Sequence, residues 1–104
     1  VLSGLYEIDS APVVPEKMVL VQAYPNPFNP ITNISFGLDV DTDVSIQVYN
    51  LQGQIVETLA NEYMHAGYHS IIWNADQHSS GIYFVKMVAV GQVIGSSQKL
   101  LLVK

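Results

Sequence analysis

An antiparallel β-sandwich of about seven strands is the expected architecture. Three observations point to it. Apolar residues recur with period two in short runs, and none forms a helical stripe longer than a turn or two. Turn residues punctuate these runs at roughly the 8–12-residue spacing of sandwiches. Pro25, Pro27 and Pro30 fall within six residues, where missing amide hydrogens and fixed φ forbid helix. Alternating strands bury one face and wet the other, so two sheets must pack face to face.

The elements follow in order. Residues 1–17 carry Pro12 and Pro15 among Glu7, Asp9 and Glu16. They read as a linker from an upstream domain, with a short strand at residues 5–8. The compact domain is expected over residues 18–104. Its first strand is residues 19–24. In Tyr24-Pro25-Asn26-Pro27-Phe28-Asn29-Pro30 each proline pushes the residue before it towards extended geometry, so the run is a stiff, bent entry. Residues 32–38 alternate, with Ile34, Phe36 and Leu38 on one face. Residues 44–49 repeat the pattern, with Val44, Ile46 and Val48 inward. A turn at Gln52-Gly53 leads to a shorter strand, residues 54–59. Residues 58–65 read as a loop, because the chain must cross between sheets there. Residues 68–73 follow, ending at the single tryptophan, Trp73. Residues 81–90 are the longest strand candidate, with Tyr83, Val85 and Met87 on one face. A turn at Gly91-Gln92 makes a hairpin into residues 93–103, bent or bulged at Gly95-Ser96-Ser97. The expected core is Ile34, Phe36, Ile46, Val48, Ile71, Trp73, Tyr83 and Val85.

A chain of 104 residues supports one domain with a single core. Its net charge is −5, with no arginine and only Lys17, Lys86, Lys99 and Lys104 as bases. That balance excludes a nucleic-acid binder, which needs clustered cations to neutralise phosphates. It equally disfavours an anionic membrane surface. The absence of cysteine excludes disulfides, a thiol nucleophile and zinc-thiolate sites. No apolar run approaches the ~18 residues of a spanning helix, so membrane insertion is not expected. The start, Val1-Leu2-Ser3-Gly4, lacks the basic flank and apolar core of a signal peptide. The chain is expected to be the carboxyl-terminal piece of a longer protein.

Four groupings invite a chemical reading. Asp39, Asp41 and Asp43 alternate like calcium ligands, yet the glycine and distal glutamate of an EF-hand are missing. They read as a turn in which aspartate caps backbone. His65, His69 and His78 fall short of three converging zinc ligands, because turn and strand separate the first two. Asp76, His78, Ser79 and Ser80 hold the residue types of a hydrolase triad within one short loop. Triad members converge from separate elements, so this reads as a turn into Gly81. Asn33-Ile34-Ser35 matches a glycosylation sequon inside a strand, a poor acceptor. No catalytic, metal or cofactor site is expected.

The carboxyl end is distinctive. Lys99 and Lys104 bracket Leu100-Leu101-Leu102-Val103. Period two places Leu100 and Leu102 on one face and Leu101 and Val103 on the other. Such a strand is either buried on both sides or a recognition strand that docks by its edge or exposed face. The lysines, of opposite parity, suit gatekeepers against edge aggregation. An apolar edge strand also leads to an expectation of weak self-association.

The proline entry opens an ordered series. It continues through Thr32-Asn33-Ile34-Ser35-Phe36, Val48-Tyr49-Asn50-Leu51-Gln52-Gly53-Gln54-Ile55-Val56, Ala66-Gly67-Tyr68-His69, Trp73, Ser80-Gly81-Ile82-Tyr83-Phe84 and the closing Lys99 to Lys104. Over about residues 20–104 this resembles the C-terminal sorting domain of type IX secretion cargo. The resemblance implies an immunoglobulin-like sandwich that carries an address, at the end of a large exported cargo protein. It implies passage through the periplasm of a Gram-negative cell to the surface or medium. An outer-membrane translocon and a sortase are the implied partners. The implied recognition elements are Gly81 and Tyr83 in the long strand, and Lys99, Leu100, Leu101, Leu102, Val103 and Lys104 in the tail. The middle of the series, from Tyr49 to Tyr83, is also similar to the immunoglobulin-like domain of flagellar hook-capping proteins, a structural assembly module. A carbohydrate-binding module is a third class, for which Tyr6, Tyr24, Tyr63 and Tyr68 would be the contacts.

Overall fold

The computed structural model describes residues 14–104. The strand expected at residues 5–8, Tyr6 and most of the expected linker lie outside the described residues. Among the described residues eight strands form in chain order: β1 Val19–Tyr24, β2 Ile31–Leu38, β3 Thr42–Tyr49, β4 Ile55–Met64, β5 Gly67–Asn74, β6 Gly81–Ala89, β7 Gln92–Val93 and β8 Gln98–Leu102. A three-stranded sheet has the order β1-β2-β5. The larger sheet runs β4-β3-β6, with β7 and β8 both on the far side of β6. All these pairings are antiparallel. The expected sandwich class is therefore correct. The eighth strand arises because the bend at residues 95–97 becomes a full break: β7 pairs with Val88 and Ala89, and β8 with Gly81 to Val85.

Parity built the core. Of the eight residues expected inside, seven are buried. Ile71 is only half-buried, because β5 is the edge of its sheet and its rim side chains meet solvent. Leu38, Val44, Met87, Ala89, Leu100 and Leu102 complete the same inward rows. Trp73 sits at the centre. Its ring lies 5.4 Å from Phe28 and 5.5 Å from Tyr83, centroid to centroid. Its indole N–H donates to Glu57 Oε1 at 3.0 Å, which satisfies the one polar atom of a large buried ring.

Two expectations need correction. Residues 58–64, read as a loop, belong to β4. Two bulges hid the strand. The β3–β4 register jumps from Ala60 to Thr58 and again from Glu57 to Ile55, leaving Leu59 and Val56 as extra residues. Both pack partly against the core, and each resets the alternation that sequence reading depends on. The crossing between sheets then takes only the two residues between Met64 and Gly67. The final hairpin also turns one residue early. Val90 and Gly91 both have positive φ, 52° and 73°, as a two-residue type I′ turn demands. Valine is a poor residue for that region, which is why the sequence pointed past it.

Packing continues just before β1. Pro15 is buried against β2, where a Cβ on Gly37 would lie 2.9 Å from its Cγ. Gly37 thus makes room for the incoming chain.

Candidate functional site

The proline entry and the last strand form one unit. Leu100 and Leu102 of β8 point into the core opposite Tyr83 and Gly81 of β6. The backbone groups of Lys99, Leu101 and Val103 therefore turn away from β6, and residues 26–28 meet them. Asn26 Nδ2 donates to Lys99 O at 2.8 Å, while Leu101 N donates to Asn26 Oδ1 at 3.0 Å. One side-chain amide thus copies the donor and acceptor of a neighbouring strand. Phe28 N donates to Leu101 O, and Val103 N donates to Phe28 O, both at 2.9 Å. Phe28 and Leu102 form a parallel bridge. The run itself is pinned at both ends. The hydroxyl of buried Thr32 donates to Pro25 O at 2.8 Å, and Ala75 N donates to Pro30 O at 2.9 Å. All three X-Pro bonds of the run are cis. Gln98 Nε2 reaches across to Leu20 O of β1 at 2.9 Å, tying the two sheets together.

This clasp alters the reading of the carboxyl end. The β8 edge, expected to invite self-association, is covered by residues 26–28. Lys104 is a tether: its N donates to Ser80 Oγ at 3.0 Å and its Nζ to Asp76 O at 2.6 Å. Lys99 remains exposed, Leu101 is half-buried, and Val103 is 47% exposed. Tyr83 lies in the core and donates its hydroxyl to Ser79 O at 2.6 Å. Gly81 adopts φ +153°, a conformation side chains disfavour. Of the eight residues singled out in the sequence, only Lys99, Leu101, Val103 and Lys104 offer side chains to solvent.

The other groupings have structural partners. His78 Nε2 lies 3.1 Å from Glu57 Oε1, and its ring leans on Trp73. The Ser79 carbonyl accepts from Tyr83 of β6, and the Ser80 hydroxyl and Asp76 carbonyl accept from Lys104, so the loop ties together β6 and the residues that follow β8. His69 Nε2 meets His65 O at 2.7 Å. Asp41 spans two turns: Ala66 N donates to its Oδ1 at 2.8 Å, and His65 Nδ1 is 3.4 Å from its Oδ2. Among the described residues no three His, Asp or Glu side chains converge on a cation position.

Asp41 yields a pH prediction. The Ala66 amide, followed by His65, holds its carboxyl below the ordinary value of 3.8. A depressed folded pKa stabilises above the unfolded pKa, and that contribution is lost as pH falls through the folded value. Melting temperatures of the parent and Asp41→Asn should therefore differ at neutral pH. The gap should close below about pH 4. A gap that is constant with pH would assign the contact no charge component.

Comparison with known proteins decides the family. The secretion system C-terminal sorting domain matches residues 22–103. The chain belongs to that family. The sorting domain is also similar in fold to a chain in the crystal structure of dimeric latent PorU from Porphyromonas gingivalis. That likeness has a TM-score of 0.67 at 16% identity, and covers 88% of this chain and 10% of that one. The present chain thus spans about a tenth of that protein's length. A search of curated proteins gives no match. The type IX resemblance seen in the sequence is borne out, and the molecule is a type IX C-terminal sorting signal with an immunoglobulin-like sandwich.

Sequence reading missed part of this sorting domain's surface. It named the tail but not the partners that β6 and β3 place beside it: Ile82 opposite Leu101, Phe84 opposite Lys99, and Tyr49 opposite Phe84. Outward parity of Phe84 and Lys86 was the signal available. Of the tyrosines proposed for sugar binding, the three among the described residues, Tyr24, Tyr63 and Tyr68, are exposed but scattered. Tyr24 and Tyr68 pair with Asn33 and Gly37 at opposite ends of β2, and Tyr63 lies on the other sheet.

Proposed function

We propose that this domain is a non-catalytic address for a larger exported protein, carrying it through the periplasm and the outer-membrane translocon to the cell surface. The observation that carries the reading is the family match over residues 22–103, which spans nearly the whole sandwich. The fold is consistent with it, since in the loop at residues 76–80 the His78 ring, the Ser80 hydroxyl and the Asp76 and Ser79 carbonyls all hold neighbouring parts of the sandwich. Recognition by the translocon, and by a sortase acting on the same cargo, falls to the exposed part of the tail. Lys99, Leu101 and Val103 are its members, with Lys104 anchoring the strand from below. Gly81, Tyr83, Leu100 and Leu102 act indirectly, by holding β6 and β8 in register.

The test is export of a reporter. A fluorescent protein with a periplasmic signal peptide, followed by residues 14–104, is expressed in a cell with the type IX apparatus. These residues contain the whole core and the Pro15 contact. The reporter is expected to reach the surface and become sensitive to added protease. Full retention in the periplasm by a fusion that melts cooperatively would reject the address function.

A further inference from the structure

The outer face of the larger sheet has an organisation that its strands do not need for folding. A row crosses four strands: Ile55 on β4, Tyr49 on β3, Phe84 on β6 and Lys99 on β8. A second row holds Thr58, Gln47 and Lys86, and a third pairs Ile82 with Leu101. Lys86 Nζ stands 4.6 Å above the Tyr49 ring. The Tyr49 hydroxyl donates to Gln47 Oε1 at 3.1 Å, and Gln47 Nε2 lies 3.5 Å from Thr58 Oγ1. A depression of about 270 Å³ opens between Tyr49, Phe84, Lys86 and Ser97, with room for one large apolar side chain.

Charge is segregated on this face. The chain has nine carboxylates and four lysines, yet two of the lysines flank Phe84 here. Neither has a carboxylate partner among the described residues. The three rows contain no Asp or Glu. Glu57, next to Thr58 in β4, is taken by Trp73 and His78. Two cations without carboxylate partners around an aromatic depression complement an acidic segment carrying an apolar side chain. A net charge of −5 opposes an anionic lipid surface.

We infer that the Tyr49–Phe84–Lys86–Lys99–Leu101 face docks an acidic protein segment that seats one apolar side chain beside Phe84. The inference rests on the sorting reading and names the chemistry of its partner. The clasp on β8 holds Lys99 and Leu101 in place before any partner arrives, which lowers the ordering cost of binding.

Two measurements decide it. In the first, residues 14–104 are titrated with the peptide acetyl-Asp-Glu-Phe-Asp-Glu-amide and followed by amide NMR shifts. Shifts should cluster at residues 49, 84, 86, 99 and 101. Binding should weaken about tenfold in Lys86→Gln/Lys99→Gln, about threefold for each charge lost, and recover in Lys86→Arg/Lys99→Arg. In the second, the reporter fusion carries the same changes. Surface reporter should fall about tenfold, while Gln22→Glu/Ser70→Glu, an equal charge change on the opposite sheet, exports normally. Absence of the clustered shifts overturns the docking face whatever the export result. Their presence without export of the parent removes the sorting reading alone. Equal export of both double variants, binding of the parent to anionic vesicles through these lysines, or self-association lost with them would each assign the face to something other than an acidic segment.

Discussion

Trp73→Ala should cost about 3–5 kcal/mol, the range for emptying a buried aromatic site. A domain of this size has only about 5–15 kcal/mol in total. The variant should therefore melt at least roughly 12 °C lower, or fail to fold. The cost is not the indole's area alone. Its ring touches Phe28, His78 and Tyr83 at once, joining the clasp, the 76–80 loop and β6. Trp73→Phe separates the parts. It keeps a ring but removes the bond to Glu57, a half-exposed carboxylate that water can serve. A smaller loss, about 1–2 kcal/mol, is expected. Thermal melts of both variants check the pair. A Trp73→Ala protein melting within a few degrees of the parent would place the core elsewhere.

Phe28→Ala is the second large effect, again about 3–5 kcal/mol. Phe28 is 2% exposed although it lies in no strand. Its side chain plugs the gap between sheets while its backbone bonds Leu101 and Val103. Asn26→Ala removes only the two side-chain bonds to β8 and should cost about 1–2 kcal/mol. Hydrogen exchange distinguishes the two. Phe28→Ala should speed exchange at the Leu101 and Val103 amides together, and Asn26→Ala chiefly at Leu101. Because the Phe28 and Trp73 rings touch, the two alanine substitutions should not add, with coupling of about 0.5–3 kcal/mol. Strict additivity would show that the rings act independently.

These residues also show what could be read from sequence. Period-two alternation located β2, β3 and β6 because nothing interrupts their parity, and it placed Ile34, Ile46 and Val85 inward. It failed at β4, where Val56 and Leu59 are bulge residues and each shifts the phase. The prolines marked the entry as irregular, but nothing local says that Phe28 turns inward or that Asn26 faces Lys99. Those contacts join positions more than seventy residues apart. Tail parity sorted Leu100 and Leu102 from Leu101. It could not reveal that Phe84 and Tyr49 extend the surface, since their neighbours are set by register across three strands.

The span of the clasp has a consequence for synthesis. Asn26 and Leu101 are 75 positions apart, so the loop they close is among the longest the chain contains, and such contacts form slowly. A chain halted before residue 98 leaves Phe28 without its backbone partners and β6 with a bare margin. It also lacks Lys99 and Leu101. A prematurely terminated product would lose the closing strand and, with it, the side chains proposed for recognition. Closing the sheet and presenting the proposed recognition side chains thus depend on the same late-made strand.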